Sequence, residues 1–416
     1  MALPREWRIA LPILGGALLG AAAALNARRG LPGAVPGRPP RDRSAARRSA
    51  ASPGRGAAGA PVRYTPDLER HQPGEEKVFR EIEQTFNTIL ETTSTDYGHA
   101  VRAVHAKAHG LLEGTLRIAD GLPPEFAQGM FARPGEHRAI LRLSTNAGDI
   151  LPDVIGLPRG IALKVFDVEG ERLAEAEGTA QDFVMVNGPV FQAKTADQFL
   201  GGLKLLAKTT DRIEGTKKAV SVLARGVDAV LGVVGVHSST LRSFGSAPNV
   251  DPLGETYYSV TPFRYGEHIA KFSLVPVSSD LKRLTGTRID ARDRPDAIRE
   301  KVRREMAAIT GVWALRVQLC RDPQKQPIED PTVEWKEADS PFETVATLQV
   351  GPQDSWADDK VRTVDEQMRF SVWTGLAAHQ PLGNINRARK DTYRHSADFR
   401  QRFNGCPIHE PGKPSA

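Results

Sequence analysis

Arg389 and Tyr393 lie four residues apart near the end of the sequence. On a helix, residues at that spacing share one face, so the guanidinium of Arg389 points at the phenol oxygen of Tyr393. A free phenol is neutral at pH 7, because it titrates near ~10. A neighbouring cation and a ferric ion both favour the phenolate, which makes the pair a candidate iron-binding site. Taken alone, the same spacing is more typical of a solvated helix face.

Residues 102–199 change that interpretation. Four segments there resemble the haem catalases and occur in that family's order with similar gaps: 102–107, 142–145, 158–166 and 187–191, the last followed by Phe199. Arg400 and Asn404 follow Tyr393 by seven and eleven residues, again as in the family. The resemblance covers roughly residues 64–406.

The resemblance implies an α+β fold, with a catalase-like eight-stranded antiparallel β-barrel core and surrounding helices. It also implies one haem b, with its iron, between the barrel wall and the C-terminal helix. Tyrosinate is the axial haem ligand of catalases, and this role falls on Tyr393. Arg389 would donate a charge-assisted hydrogen bond to the Tyr393 oxygen.

Three residues would act on the opposite face of the haem. His105 is the candidate acid–base group, because imidazole can take a proton from one peroxide oxygen and return it to the other. Asn187 would donate an amide hydrogen bond to the bound peroxide without titrating, although Asn-Gly is also a strong hairpin signal. Ser144 would fix the tautomer of His105, or would be a strand serine that faces solvent.

Six further residues are candidates for cofactor contacts. Arg102, Arg142 and Arg400 would bind the haem propionates, because planar guanidinium matches carboxylate better than lysine does. Any one of the three is alternatively a surface arginine. Apolar contacts with the porphyrin would come from Val104, Phe191 and Phe199, for which ordinary core packing is the alternative. The other histidines, such as His109, His137 and His379, fit a structural role better.

The sequence departs from typical catalases at three places. Ala108 and His109 follow the candidate distal segment where small residues and glycines are usual. A single Asn187 precedes Gly-Pro where a pair is common. Residues 394–396 also differ from the usual run after the tyrosine. These departures leave the ligand set intact, but they put the access channel and efficient hydrogen peroxide disproportionation in doubt.

Periodicity supplies the elements that would position these residues. An amphipathic helix is predicted from Gly74 to Thr92, a helical block over 195–235 and a charged helix over 295–309. Eight strand-like segments are predicted at 99–119, 139–146, 160–168, 181–191, 257–265, 269–277, 312–320 and 342–350. Closing antiparallel neighbours into a barrel would remove exposed edges.

The charge is distributed unevenly. Residues 1–63 carry eleven Arg and no Lys against Glu6 and Asp42, or +9, so the net charge of +6 leaves about −3 for the rest of the chain. A near-neutral globule without basic and aromatic residues interleaved does not predict nucleic-acid binding. The two cysteines, Cys320 and Cys406, are too few for a disulfide framework. Cys320 lies in an apolar strand-like run that predicts a buried thiol, and a Cys320–Cys406 bridge is the alternative.

Three segments follow from composition. Residues 1–27 contain a 17-residue apolar run and predict a membrane anchor, with a cleaved export signal as the alternative. Residues 28–63 are rich in Pro, Gly, Ala and Arg and predict a flexible linker. Residues 64–416 would form the haem domain. The sequence does not decide the membrane side, a homo-oligomeric state or the electron donor.

Three functions remain open from the sequence. The first is a haem hydroperoxidase, of the catalase or peroxidase type and with a role in oxidative stress, that cleaves hydrogen peroxide or organic hydroperoxides. The second is a lipid-hydroperoxide isomerase that resembles allene oxide synthase and uses the same ligands. The third is a non-catalytic haem-binding protein, which His105 with Asn187 disfavours because passive binding needs no distal base.

Overall fold

A computed structural model describes residues 59–210, 249–408 and 410 of the chain. The predicted anchor at 1–27, most of the predicted linker at 28–63 and the later part of the helical block at 195–235 lie outside these residues. Within the described residues, no helix is both long enough and apolar enough to cross a membrane.

Nine strands form one sheet. They are β1 Ala108–Ile118, β2 Gly135–Thr145, β3 Arg159–Val165, β4 Gln181–Val186, β5 Tyr257–Tyr258, β6 Phe263–Tyr265, β7 His268–Pro276, β8 Gly311–Leu319 and β9 Phe342–Val350. The α-helices are α1 Glu75–Tyr97, α2 Ala196–Thr210, α3 Ser279–Lys282, α4 Ala297–Met306, α5 Asp358–Lys360 and α6 Asn384–Asn404.

Eight of the strands close into an antiparallel barrel. The two-residue strand β5 joins the ends of the sheet, because Tyr258 pairs with Val186 of β4 and Tyr257 pairs with Leu274 of β7. Strand β6 is attached to the edge of β7. The eight-stranded antiparallel barrel with surrounding helices predicted from the sequence is confirmed, and its α+β class with it.

The barrel interior is filled by side chains. Alternate strand residues point inward, and the large ones pack together, as when the rings of Phe183 and Phe272 meet edge to face at 4.8 Å. Leu141, Leu163 and Leu315 are at most 1% exposed. Because each buried apolar side chain of this size contributes about 1.5–3 kcal/mol, this interior cluster stabilises the barrel.

A second apolar cluster lies outside the barrel. It joins α1, α2 and α6 through Ile82 and Phe86, Leu200 and Leu203, and Ile385 and Ala388, with Val104, Phe191 and Phe199 packed against it. The cluster holds three helices against one side of the barrel wall. The space between the two layers is where the candidate site residues meet.

Two predicted strands differ from those observed. Residues 99–107, predicted as the start of the first strand, form a loop because His105 has a φ of 55° and hydrogen-bonds through its N–H to the carbonyl of Asn146. The segment 257–265, predicted as one strand, is divided into β5 and β6 because Val260 has a φ of 53°. A left-handed conformation interrupts a strand.

The N-terminal part of the described chain is bound to the barrel and to α6. The N–H of Val62 donates to the carbonyl of Cys320 at 2.8 Å, so the end of the predicted linker contacts the barrel. Arg387 binds Glu69, Glu75 and Glu329 at 2.8–3.1 Å, which ties the start of α6 to this segment. Both cysteines are free thiols.

Candidate active site

Arg389 and Tyr393 meet on α6 as their spacing predicts. Nε and Nη2 of Arg389 donate to the Tyr393 oxygen at 3.1 and 2.7 Å, and Nη1 donates to Oδ1 of Asn386 at 3.1 Å. Two donors from one cation therefore converge on a single phenol oxygen. This arrangement suits an anionic oxygen, since charge-assisted pairs are the stronger hydrogen bonds.

His105 is held in the loop that precedes β1. Its Nδ1 lies 3.1 Å from the hydroxyl of Ser144 on β2, and its carbonyl accepts a hydrogen bond from Nη1 of Arg142 at 2.9 Å. The Ser144 hydroxyl has the carbonyl of Gly160 as an acceptor at 3.4 Å. A Ser144 hydroxyl that donates to this carbonyl would accept a hydrogen bond from Nδ1–H, and in that tautomer Nε2 is free to accept a proton.

Gly160 makes room for the His105 ring. It pairs with Ser144 across β2 and β3, and a Cβ atom at position 160 would fall well inside contact distance of the imidazole. Only glycine therefore permits the ring to lie against the backbone of β3. Gly160 belongs to the segment 158–166 that resembles the catalases, but nothing in the local sequence pattern indicates that a distant side chain packs against it.

His105 is neutral at neutral pH. Burial, and then the positive charges of Arg142, Arg389 and Arg102, lower the pKa of His105 to about 3. A neutral imidazole can act as a base, because it has a lone pair available for a proton. The lowered pKa keeps the ring unprotonated at neutral pH, and it also makes the imidazole a weaker base.

Two adjacent cavities lie between the barrel wall and the helices. Their empty volumes are about 660 and 1140 Å³. His105, from the barrel side, and Tyr393, from α6, line both of them, as does Val104. Phe191 and Phe199 line the larger cavity with their rings 5.7 Å apart. The structure thus brings together the predicted proton acceptor, the predicted metal ligand and the three predicted apolar contacts.

Three arginines gather at the smaller cavity around one carboxylate. Nη1 of Arg102 and Nε of Arg142 each lie 2.8 Å from Oδ1 of Asp365, and Arg400 donates to the backbone carbonyl of Asp365 at 3.4 Å. All three arginines line this cavity. Nε of Arg400 is buried and has no hydrogen-bond partner among the residues that the structure describes. Asp365 was not singled out from the sequence, because its neighbours carry no recognisable pattern.

This cluster carries excess positive charge. Burial and the charges of Arg142 and Arg400 lower the pKa of Arg102, and burial lowers the pKa of Arg400 to about 10. Burial acts in the opposite sense on Asp365, but Arg142 and Arg102 outweigh it and hold the pKa of that carboxyl below its usual value. A ligand with acidic groups at this end of the cavity would offset the repulsion.

The residues present fit a haem group. Tyr393 offers one oxygen ligand, and the described residues contain no cluster of three His, Cys, Asp or Glu that could hold a bare metal ion. An iron ion at Tyr393 would therefore need a cofactor that supplies its other ligands. The apolar walls suit a porphyrin, and the unpartnered Nε of Arg400 in the basic cluster suits its propionates.

Asn187 is not among the residues that line these two cavities. Its Oδ1 accepts the N–H of Arg159 at 2.8 Å, and its Nδ2 donates to Glu255 at 2.9 Å. Val184 and Val186 of β4 line the larger cavity, and Asn187 follows directly after the end of this strand. Burial raises the pKa of Glu255 to about 7. Asn187 and His105 were predicted to act on the same face of the haem, but only His105 lines these cavities.

His109 and His379 make contacts typical of structural residues. His109 lies 2.5 Å from the hydroxyl of Thr145 through Nε2, and His379 accepts the N–H of Met130 at 3.1 Å within an aromatic cluster. Both are fully buried. The structural role expected for them agrees with these contacts.

No known sequence family matches this chain, and no curated protein is significantly similar to it. Solved structures of catalases are similar in fold. A fungal catalase matches with a TM-score of 0.53 and 17% identity over 77% of this chain and 66% of the catalase chain. Catalase A from Saccharomyces cerevisiae matches with a TM-score of 0.53 and 16% identity over 76% and 65%.

A bacterial catalase gives a TM-score of 0.54 and 17% identity over 77% of this chain and 63% of its own. The chain therefore spans slightly less than two thirds of the length of these three proteins. At identities this low, the likeness establishes a shared fold. Activity, cofactor and substrate have to be argued from the side chains of this chain.

Proposed function

We propose that this protein is a haem-dependent hydroperoxidase. The observation that carries the proposal is that His105 and the Arg389–Tyr393 pair, from different elements, line the same cavity. Tyr393 would bind the haem iron, and Arg389 would keep the phenol oxygen anionic. When bound, the haem supplies the redox chemistry that accepts oxygen from a hydroperoxide.

His105 would move the proton in the cleavage of the O–O bond. Its neutral Nε2 takes the proton from the inner oxygen of the hydroperoxide and returns it to the outer oxygen. The outer oxygen then leaves as water or as an alcohol, depending on the substrate. Ser144 would position the ring through the hydrogen bond between its hydroxyl and Nδ1, which are 3.1 Å apart. General acid–base catalysis of this kind contributes about 10²–10⁴-fold.

The arginine cluster would hold the propionates and also support His105. Arg142 donates to the backbone carbonyls of His105 and Ala106 at 2.9 and 3.1 Å while it binds Asp365. A carboxylate bound at this cluster would therefore contact Arg142, which holds the loop that contains His105. Arg102 and Arg400 add charge, and Arg400 has the free donor.

The preferred substrate in this proposal is an organic hydroperoxide. Val184, Val186 and Phe191 line the larger cavity together with His105, and its amide side chains are those of Asn146 and Gln192. Asn187 is bound to Arg159 and Glu255 instead. An apolar wall gains from contact with a hydrocarbon group, at about 25 cal/mol per Å² of apolar surface removed from water. Hydrogen peroxide offers no such surface.

The same apolar wall favours a second candidate, the isomerisation of a lipid hydroperoxide. In that reaction the peroxide oxygen stays in the product, and no external donor is consumed. Product analysis separates the two. A hydroperoxidase releases an alcohol in proportion to oxidised donor, whereas an isomerase converts the lipid without a donor and releases no free alcohol.

The test is to titrate purified full-length protein with haem and then add cumene hydroperoxide, a fatty-acid hydroperoxide or hydrogen peroxide. We expect one haem per chain, a tyrosinate-type absorption spectrum and faster turnover of the organic substrates. Failure to bind haem would refute the proposal. Faster turnover of hydrogen peroxide would refute the substrate preference alone.

Membrane attachment through residues 1–27 is part of the proposal. An apolar helix in lipid resists a salt wash, whereas 1 M salt releases proteins held by charge, because screening then acts within roughly 3 Å. We expect the full-length chain to stay with membranes after the wash. A chain starting at residue 59 should be soluble and bind haem. Recovery of a soluble chain beginning near residues 25–28 would instead show a cleaved signal.

A further inference from the structure

Asn386 is a buried amide with every hydrogen-bonding position occupied. Its Oδ1 accepts from Nη1 of Arg389 at 3.1 Å and from the hydroxyl of Thr261 at 3.0 Å. Its Nδ2 donates to the carbonyls of Pro262 and Leu382 at 3.0 and 3.1 Å. An amide with two donors and a two-fold acceptor satisfies all four contacts at once. A carboxylate would place a lone pair against two carbonyl oxygens.

Thr261 reaches Asn386 from a strained turn. Val260 has a φ of 53°, and the N–H of Thr261 donates to the carbonyl of Ser259 at 2.6 Å, two residues back. Such a γ-turn with a positive central φ is rare, and a β-branched residue at its centre is an outlier. Strained residues of this kind persist where their surroundings fix them, and they concentrate at functional sites.

Side chains lock the turn to the barrel. The hydroxyl of Ser259 donates to the carbonyl of Thr261 at 2.9 Å and accepts the N–H of Phe272 in β7 at 3.0 Å. The hydroxyl of Thr261 also lies 3.1 Å from the carbonyl of Ser259. Residues 259–261 line the larger cavity together with Arg389 and Tyr393. Thr261 and Pro262, which lie between β5 and β6, therefore contact α6 through the side-chain amide of Asn386.

Two arginines on α6 show what is unusual about this amide. Arg387 binds three carboxylates, those of Glu69, Glu75 and Glu329. Among the residues that the structure describes, the contacts of Arg389 are with Asn386 and Tyr393, and neither is a carboxylate. The charge of Arg387 is balanced by acidic side chains, whereas that of Arg389 is directed at the phenol oxygen.

We infer that Asn386, held by Thr261, is a positioning residue that aims Arg389 at Tyr393 without neutralising its charge. The inference rests on the proposed haem ligation by Tyr393. A guanidinium whose outer partner is neutral withdraws electron density from the phenolate more strongly than one shared with a carboxylate. A phenolate that donates less electron density stabilises ferric iron less and so raises the reduction potential. Asn386 therefore helps to set the reduction potential of the bound haem.

The test compares Asn386→Asp with Asn386→Ala in the haem-loaded full-length protein. Both variants lose the amide, but only Asn386→Asp gives Arg389 a carboxylate partner. At a fixed potential, we expect the ferrous-to-ferric ratio of Asn386→Asp to be at least tenfold lower than that of the wild type. A tenfold change corresponds to a reduction potential lower by about 59 mV for one electron. The tyrosinate-to-iron absorption band should move with it, and Asn386→Ala should not lower the ratio.

Thr261→Val and Thr261→Ser keep the test decisive if substitutions at Asn386 prevent folding. Valine removes the hydroxyl that binds Asn386, whereas serine keeps it. We expect a shifted tyrosinate-to-iron band in Thr261→Val and the wild-type band in Thr261→Ser.

A lower melting temperature in Thr261→Val with an unchanged band and potential would mean a purely structural role and would overturn the inference. An unchanged potential in Asn386→Asp would overturn it as well. In both cases a wild-type protein that binds haem and cleaves hydroperoxide leaves the proposed function standing. A wild-type chain that binds no haem overturns both.

Discussion

The α6 side and the barrel side of the candidate site are built differently. On α6, Tyr393 receives two hydrogen bonds from Arg389, which is itself held by Asn386. On the barrel side, Val184 and Val186 of β4 line the larger cavity together with His105, the proposed acid–base group. The hydrogen bonds on α6 hold the Tyr393 oxygen in one position, which suits a ligand of fixed geometry. The apolar side chains beside His105 suit substrates of different shapes.

The supports of the two sides also differ in origin. The Arg389–Tyr393 pair comes from one helical turn and would form wherever that helix forms. His105 depends on a left-handed backbone, on Ser144 in the next strand and on the bare backbone of Gly160. The barrel side should therefore be more sensitive to small changes in packing.

Tyr393→Phe makes the largest change on the α6 side. The variant loses the phenol oxygen that accepts two hydrogen bonds from Arg389. We therefore expect the tyrosinate-type spectrum to disappear and hydroperoxide turnover to be abolished. Absorption spectra of the haem-titrated protein measure the first, and donor oxidation measures the second. An unchanged spectrum would contradict the assignment of the metal ligand.

His105→Ala tests the barrel side without touching the ligand. We expect haem to remain bound and hydroperoxide cleavage to fall by about 10²–10⁴-fold, which is the contribution of general acid–base catalysis. His137→Ala is the matched control, because His137 contacts a backbone carbonyl outside the cavities. Turnover at the wild-type rate in His105→Ala would rule out His105 as the proton acceptor.

Gly160→Ala displaces the same imidazole indirectly. The added methyl group would push the ring away from β3, and a shift of about 1 Å in a catalytic group can cost 10²-fold. We expect a loss approaching that of His105→Ala, with haem binding retained. Gly135→Ala is the control, since the nearest atom to its new methyl would be 3.9 Å away. Equal turnover in both variants would show that the ring is not seated on Gly160.

Val186→Asn sharpens the comparison by placing an amide on the apolar wall. One added hydrogen bond of about 1–1.5 kcal/mol corresponds to roughly a tenfold change in rate. We expect the ratio of hydrogen peroxide turnover to organic hydroperoxide turnover to rise by about that factor. Asn187→Ala, which alters the neighbouring residue that faces Arg159 and Glu255, should lower thermal stability and leave the ratio unchanged. A ratio that responds to Asn187 instead would reverse the assignment of the wall residue.

Much of the fold could be predicted because its signals are local. Alternating and apolar runs located most of the barrel strands, and the periodicity after Gly74 located α1. The strand predicted at 99–119 begins only at Ala108, and the strand predicted at 257–265 is divided into two, since His105 and Val260 have left-handed conformations. Neither residue is a glycine, so nothing in the sequence warned of a positive φ.

The sequence by itself determined the pair on α6, because residues i and i+4 of a helix meet whatever surrounds them. It also determined that a large apolar core can form and that residues 1–63 differ in composition from the rest. The tertiary structure decided which residue of β4 faces the cavity, that Asp365 joins three arginines, and that Asn386 connects the barrel to Arg389. These contacts join residues far apart in the chain, and their formation depends on barrel register and helix docking, which no local pattern encodes.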